Sequence, residues 1–356
     1  MSDRAERLAD AVEELVLIPS ESRDEGAVLA WIRDRLPPSL TVIEGDAVVY
    51  ARPERRPGAP LVVLAGHVDT VPAGRSAPGR RGGTIHGRGA ADMKAGLAVM
   101  LEAAGAIASG EVAGDLDLGV LCFGREELPF GESALMPFLD RTPELREASL
   151  AIVMEPTANR LELGCLGNLT ATVTFTGEAA HTARPWLGRN AIHAAVTALG
   201  PIAAFAPDDV SIDGLTYREV VSVTGISGGT AANVVPDRVE ATVNLRYAPT
   251  RSRDAAERRL ADLVGHDGPR IAVVGNAPAG PVPAGNVLVE RLRAAGDLQV
   301  GPKQAWTPVA EFGLAGVDAV NFGPGDPQYA HRDDEHVEVA ALERSFEVLT
   351  AFLQGV

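Results

Sequence analysis

The feature that most constrains the fold is a set of short apolar runs separated by helical patterns. "PLVVLAG", "LDLGVLCFG" and "SLAIVME" are apolar at nearly every position rather than at alternate ones. Strands of this kind are buried on both faces, which predicts a largely parallel sheet with helices packed on either side. The covering helices are legible too. Residues 3–18 and 25–36 are amphipathic, and "KAGLAVMLEAAGAIASG" predicts a helix ending at Gly110.

The middle of the chain has a different rhythm. "NLTATVTFTG" alternates with period two, a helix follows over about 190–204, and "REVVSVTGIS" and "DRVEATVNLRYA" are two more strands. The helix "SRDAAERRLADLVG" and the short strand "PRIAVVG" complete a β-α-β-β-α-β unit, one antiparallel sheet with two helices on one face. Glycines at 164 and 167 precede this unit. The Gly/Pro-rich stretch "GNAPAGPVPAG" follows it and reads as a hinge. The α/β pattern then returns with the strand "DAVNFG" and a helix over about 338–353. The expected architecture is an α/β domain over residues 1–165 and 277–356, interrupted by an inserted α+β (βαββαβ, ferredoxin-like) domain over residues 166–276. A length of 356 residues agrees with two cores rather than one.

With 46% hydrophobic residues the chain is no candidate for disorder. A formal net charge of −16, with no stripe of Lys and Arg, argues against nucleic acid as a partner. The start, "MSDRAERLADAVEELV", has no apolar run of signal-peptide or membrane-spanning length, so a cytoplasmic protein with no membrane partner is expected. Cys122 and Cys165 sit in apolar segments and read as buried thiols in a reducing compartment.

In open α/β sheets ligands gather beyond the carboxyl ends of the strands. Several predicted strands end here in a side chain that can hold a metal. "VVLAGHVD" ends on His67 and Asp69, "LCFGREE" on Glu126 and Glu127, and "AIVMEP" on Glu155. "VNFGPGDPQYAH" leads to His331, and Asp92 stands at a helix entry in "GRGAADMKAGL". Taken singly, each has a plain structural reading: a hydrogen-bonded histidine, an N-cap, a solvated acidic loop. Recurrence at the same end of several strands favours a site.

Together "GHVDTVP", "GRGAADMKAG", the Glu126–Glu127 pair, "MEP" and "AHRDDEHV" resemble the M20 family of dinuclear zinc peptidases and deacylases, most closely its succinyl-diaminopimelate desuccinylase branch. The resemblance spans nearly the whole chain. It implies two Zn²⁺ per subunit, with Co²⁺ as a possible substitute: His67, Asp92 and Glu155 for one, and Asp92, Glu127 and His331 for the other, Asp92 bridging. Imidazole and carboxylate ligands suit zinc. The same resemblance makes Glu126 the general base. Asp69 is expected to accept the other ring N–H of His67, because strand period two puts both side chains on one face.

In the inserted domain, His181 matches a family histidine that reaches across a homodimer to stabilise the oxyanion; on its own it reads as a residue capping its loop. Asn233, Arg246 and Thr307 match substrate-contacting positions, and Arg184, in the same stretch as His181, is taken with them. Arg246 suits a two-point carboxylate grip, and equally a sheet-face ion pair. The implied reaction is hydrolysis of the linear amide of a small N-acylated amino acid, most specifically N-succinyl-LL-2,6-diaminopimelate to succinate and LL-2,6-diaminopimelate. Acetylornithine deacetylase, aminoacylase and dipeptidase activities, or a non-catalytic binding dimer, are the alternatives. Pro308, where relatives usually carry aspartate, and "REELPFGESA" depart from the family pattern near the expected substrate pocket. His86, His193, His266 and His336 read as lesser residues, the last as outer-sphere or surface.

Overall fold

The computed structural model describes residues 2–75, 77–266 and 268–355. The chain divides into two compact units. The first comprises residues up to Gly164, Pro281–Lys303 and the chain from Thr307 onward, and the second Cys165–Gly280 with Gln304–Trp306.

The first unit is built on an eight-stranded sheet. Its order is Thr41–Gly45, Val48–Arg52, Asp117–Phe123, Leu61–His67, Leu150–Val153, Ala319–Asn321, Leu161–Leu163 and Val300–Pro302. The four central strands, Asp117–Phe123 to Ala319–Asn321, run parallel. Every residue of Leu61–His67 and Asp117–Phe123 is buried, as their unbroken apolar character requires. Val62 and Leu64 face a core shared with the helices Asp3–Leu17, Ala95–Ala108, Val287–Gly296 and Val339–Gln354. On the opposite face Tyr50 meets Phe138 of the helix Leu135–Arg141 edge-on, with ring centroids 6.5 Å apart.

The sheet's edges were not legible in the sequence. Thr41–Gly45 and Val48–Arg52 form a hairpin whose second strand pairs antiparallel with Asp117–Phe123, and its first strand is mostly exposed, which hides it from a search for apolar runs. A separate three-stranded antiparallel sheet, Gly79–Arg81, Thr84–His86 and His336–Glu338, joins the closing segment to the turn before Ala95.

In the second unit a five-stranded antiparallel sheet runs in the order Asp208–Ile212, Leu215–Gly228, Arg238–Tyr247, Gly167–Thr176 and Arg270–Ala277. Gly167–Thr176 alternates buried and half-buried residues, and the buried set packs with the helices Ala191–Ala203 and Arg253–Val264. The sheet has one strand more than the sequence pattern predicts. Asp208–Ile212 is too polar to show as a strand, yet the Asp213–Gly214 turn, both residues at positive φ, is a standard hairpin signal. Gln304–Trp306 belongs here as well. Gln304 donates to the Thr216 carbonyl at 3.0 Å and the Trp306 indole to that of Pro278 at 3.0 Å.

No helix among the described residues is long and apolar enough to cross a membrane. Close approach of the helix Ala95–Ala108 to the sheet depends on Gly96, where an added Cβ would lie 2.4 Å from the Met154 carbonyl oxygen and 2.8 Å from Met154 Cβ. Because backbone cannot yield as a flexible side chain does, Gly96→Ala is expected to cost about 1–3 kcal/mol. The change should appear as a lower urea midpoint with an unchanged slope; an unchanged midpoint contradicts this packing.

Candidate metal centre

Three adjacent parallel strands deliver ligand-capable side chains to one end of the first unit's sheet. Leu61–His67 ends on His67 itself. Asp117–Phe123 is followed by Gly124 and by Arg125 at φ 64°, and the chain then presents Glu126 and Glu127. Leu150–Val153 leads within two residues to Glu155. Asp92 comes from the irregular turn Ala90–Lys94 that opens the helix Ala95–Ala108, and the Asp92–Met93 peptide is cis. His331, at φ 63°, follows the short turn Pro327–Tyr329 beyond the strand Ala319–Asn321.

These side chains converge. His67 Nε2 is 3.1 Å from Asp92 Oδ1 and 3.8 Å from Glu155 Oε1. His331 Nε2 is 2.9 Å from Glu127 Oε1 and 3.3 Å from Asp92 Oδ2. The two oxygens of one carboxylate therefore face two different imidazoles. The donor atoms of His67, Asp92 and Glu155 lie within 4.8 Å of one another, as do those of Asp92, Glu127 and His331 and those of His67, Glu126 and Glu127.

The chemistry of this donor set fits cations. The Asp69 backbone carbonyl lies 2.9 Å from His67 Nδ1, so Nδ1 carries a proton and the neutral ring turns the lone pair of Nε2 toward Asp92 and Glu155. A lone pair facing a carboxylate oxygen at hydrogen-bond distance needs a positive centre between them, a proton or a metal ion. Glu155 Oε1 is buried with no hydrogen-bond partner, another acceptor without a donor.

The protonation balance of the metal-free chain says the same. Burial opposes a charged His67, but the Asp92 hydrogen bond and the charges of Glu126, Asp92 and Glu155 overcome it and hold its pKa well above the usual value. Hydrogen bonds to Asp92 and Glu127 raise His331 to about 10. Burial, then the neighbouring Asp92, pushes Glu155 up to about 7. Glu126 is also raised well above the usual carboxylate range, chiefly by burial and then by Glu155, Glu127 and Asp92, with His67 opposing. Burial would raise Asp92 too, but the hydrogen bonds from His331 and His67 bring it well below the ordinary range. The cluster takes up protons because acceptors and carboxylates crowd together; divalent ions would replace them.

The Asp69 carboxylate does something different from the sequence expectation. Its Oδ1 is 3.7 Å from His67 Nδ1, and the backbone carbonyl takes the ring N–H instead. The strand ends at His67, so the period-two argument lapses before it reaches Asp69. The Asp69 carboxylate accepts from the backbone N–H of Glu126 at 3.0 Å, from that of Glu127 at 3.2 Å and from the Ser22 hydroxyl at 2.7 Å. It fixes the two glutamates rather than the histidine ring. Ser22 lies in "PSESRDEG", a stretch with no motif or periodicity to mark it.

The other expected site residues fall in both units. Thr307 belongs to the first and is buried. Pro308 stands at the N-cap of the helix Val309–Leu314 with φ −59°, which its ring favours, so the proline sits there without distortion. His181, Arg184, Asn233 and Arg246 belong to the second unit. His181 is exposed, and its Nδ1 accepts from the Ala183 N–H at 3.0 Å. The Asn233 carbonyl accepts from the Thr182 N–H at 3.1 Å, and the Arg184 N–H donates to the His181 carbonyl at 2.8 Å. Arg246 is half-buried, its Nε donating to Asn244 Oδ1 at 3.1 Å, and burial lowers its pKa.

The chain is similar to known proteins. Residues 63–355 match peptidase family M20/M25/M40. A Mycobacterium tuberculosis relative is 39% identical over 351 residues, covering 96% of each chain. The succinyl-diaminopimelate desuccinylase of Corynebacterium glutamicum is 37% identical over 349 residues, covering 95% of this chain and 94% of its own. Among solved structures, the aminopeptidase PepT of Bacillus cereus aligns with a TM-score of 0.79 at 18% identity over 99% of this chain and 98% of its own, a likeness of fold.

The raised histidines give a testable consequence. Unfolded, the His331 imidazole titrates near the ordinary value; folded and metal-free it titrates at about 10. Its contribution to stability is therefore fully present below pH ~6.5 and lost as pH rises toward 10. Binding a cation must expel that proton. Calorimetric titration of chelator-stripped protein with Zn²⁺, in buffers of differing ionisation enthalpy, should record net proton release at pH 7 that vanishes above pH 10. Binding without proton release at pH 7 contradicts the assignment of His331 as a ligand.

Proposed function

The chain belongs to peptidase family M20/M25/M40, and from that premise we propose that it is a dinuclear zinc hydrolase that removes the succinyl group from N-succinyl-LL-2,6-diaminopimelate. The observation that carries the reading is the Asp92 carboxylate, with one oxygen toward His67 and the other toward His331. The desuccinylase at 37% identity over nearly the whole chain supports the substrate.

In this reading His67, Asp92 and Glu155 hold one Zn²⁺ and Asp92, Glu127 and His331 the other, with Co²⁺ able to substitute. The two ions supply Lewis acidity, polarising the acyl carbonyl and lowering the pKa of water. The chain's own groups do the rest. Glu126 is half-buried beside the ligands with its backbone N–H on Asp69, so its carboxylate is aimed while its proton affinity is raised. It takes the proton from the attacking water and returns it to the departing amine nitrogen. Asp69 holds both glutamate backbones against this work. His181, whose Nδ1 is engaged by the Ala183 N–H, acts through Nε2 as a donor to the developing oxyanion, contributed from the partner of a homodimer. Arg246 and Asn233, with Arg184 and Thr307, hold the polar groups of the substrate. Exposed Trp186, Leu187 and Val196 on the second unit support a dimer interface there, so that unit serves as lid and dimerisation domain. The enzyme works in the cytoplasm.

Glu126→Gln keeps the size and polarity of the side chain and removes its basicity. It should retain two bound ions by elemental analysis while kcat falls by about 10²–10⁴-fold; near-normal turnover in the metal-replete variant excludes Glu126 as the base. The substrate is tested by a panel of succinyl-diaminopimelate, acetylornithine and simple dipeptides with metal content measured alongside. Succinyl-diaminopimelate should give the highest kcat/KM, and no detectable activity on it removes the substrate assignment while leaving the hydrolase reading intact.

A further inference from the structure

Behind the metal ligands lies a buried ion pair between Arg88 of "GRGAADMKAG" and Glu335 of "AHRDDEHV", neither of which is among the ligands. Glu335 is 2% exposed, and its Oε2 is 2.8 Å from the Arg88 guanidinium, which is itself largely buried. Its other oxygen, Oε1, accepts from two consecutive backbone N–H groups, those of Ala91 and Asp92, each at 3.1 Å. Arg88 also donates to backbone, Nε to the Pro72 carbonyl at 3.1 Å and Nη1 to the Arg332 carbonyl at 3.2 Å. The main chain adds a further tie, from the Gly87 N–H to the Glu335 carbonyl at 3.1 Å.

These contacts span three ligand-bearing segments. Pro72 lies on the chain leaving His67, Ala91 and Asp92 form the turn that supplies the bridging carboxylate, and Arg332 follows His331 directly. Removing an arginine and a glutamate from water costs several kcal/mol per ion, and such pairs often add nothing net to stability. Here both oxygens of the carboxylate are used, Oε1 on backbone that carries the Asp92 ligand and Oε2 on an arginine that is itself tied to the neighbouring segments. That pattern suits a role in geometry better than one in stability.

We infer that the Arg88–Glu335 pair is a positioning device that holds the Asp92 turn in register with the His67 and His331 segments, and so sets the geometry in which one carboxylate can serve two cations. The inference rests on the proposed reading of the metal centre. Glu335 fixes the direction of the Asp92 main chain through its N–H, and Arg88 fixes Glu335 to the segments on either side. Neither side chain ligates or touches substrate.

The test uses the full-length chain, stripped with chelator, and Zn²⁺ as the probe. Glu335→Gln keeps an acceptor for the two N–H groups but loses the charge, Glu335→Ala loses both, and Arg88→Lys keeps the charge but loses the fork. Calorimetry should show Zn²⁺ affinity reduced by about 10–100-fold, as is usual for residues that orient ligands, and more for Glu335→Ala than for Glu335→Gln. kcat should fall while KM stays within about twofold, since ground-state binding of substrate is untouched. A double variant, Arg88→Met with Glu335→Met, fills the same space with apolar side chains and should restore the melting temperature of the metal-free protein without restoring metal affinity. Unchanged Zn²⁺ affinity and kcat in Glu335→Ala overturn the inference, and so does recovery of metal affinity along with stability in the double variant. Failure of the parent chain to bind two ions would instead overturn the metal-centre reading and this inference with it. A parent that binds two, with indifferent variants, overturns this inference alone.

Discussion

The carboxylate of Asp92 lies between two imidazoles, one oxygen 3.1 Å from His67 and the other 3.3 Å from His331. Nearly every other feature of the first unit serves that arrangement. Three neighbouring parallel strands bring His67, the Glu126–Glu127 pair and Glu155 to one edge, because strands about 4.8 Å apart deliver their carboxyl ends side by side. A turn at the head of a helix supplies Asp92, and a loop from a fourth strand supplies His331. Crowding four carboxylates and two imidazoles together, with His67 and Glu155 buried and His331 at the exposed side, is unfavourable unless positive charge compensates. Protons do so in the metal-free chain, and divalent ions are the natural replacement.

Much of this was legible in the sequence because burial on both faces leaves an unambiguous mark. The central strands Leu61–His67, Asp117–Phe123 and Leu150–Val153 are apolar runs, and their ends carry the site. What escaped notice was polar or short. The strand Asp208–Ile212 has the sequence "DDVSI", and its edge position makes little demand on hydrophobicity. The helix Val287–Gly296 follows directly on the Gly/Pro-rich stretch that drew attention to itself as a hinge.

At the site the metal-capable side chains were legible from the motifs, whereas the backbone contacts of other residues in those motifs were not. Asp69 was marked, but its contact was misjudged. Period two applies only while the strand lasts, and beyond His67 the chain turns so that its carboxylate meets the N–H groups of Glu126 and Glu127. Arg88 and Glu335 lie inside quoted motifs, yet what they hold is backbone, while Ser22, outside any motif, donates to the Asp69 carboxylate. Holding a backbone N–H needs no particular spacing along the chain, so no pattern announces it. The fold itself is shared with an aminopeptidase at 18% identity, which is why the substrate has to be argued from the 37% relative and from individual polar residues rather than from architecture.

The most direct test of the central claim is anomalous diffraction at the zinc edge from crystals of the Zn²⁺-loaded chain. The account predicts two peaks about 3.5–4 Å apart on either side of the Asp92 carboxylate, one among His67, Asp92 and Glu155 and the other among Asp92, Glu127 and His331. A map with no peak at Asp92, or with a single ion bound elsewhere by other side chains, would contradict it.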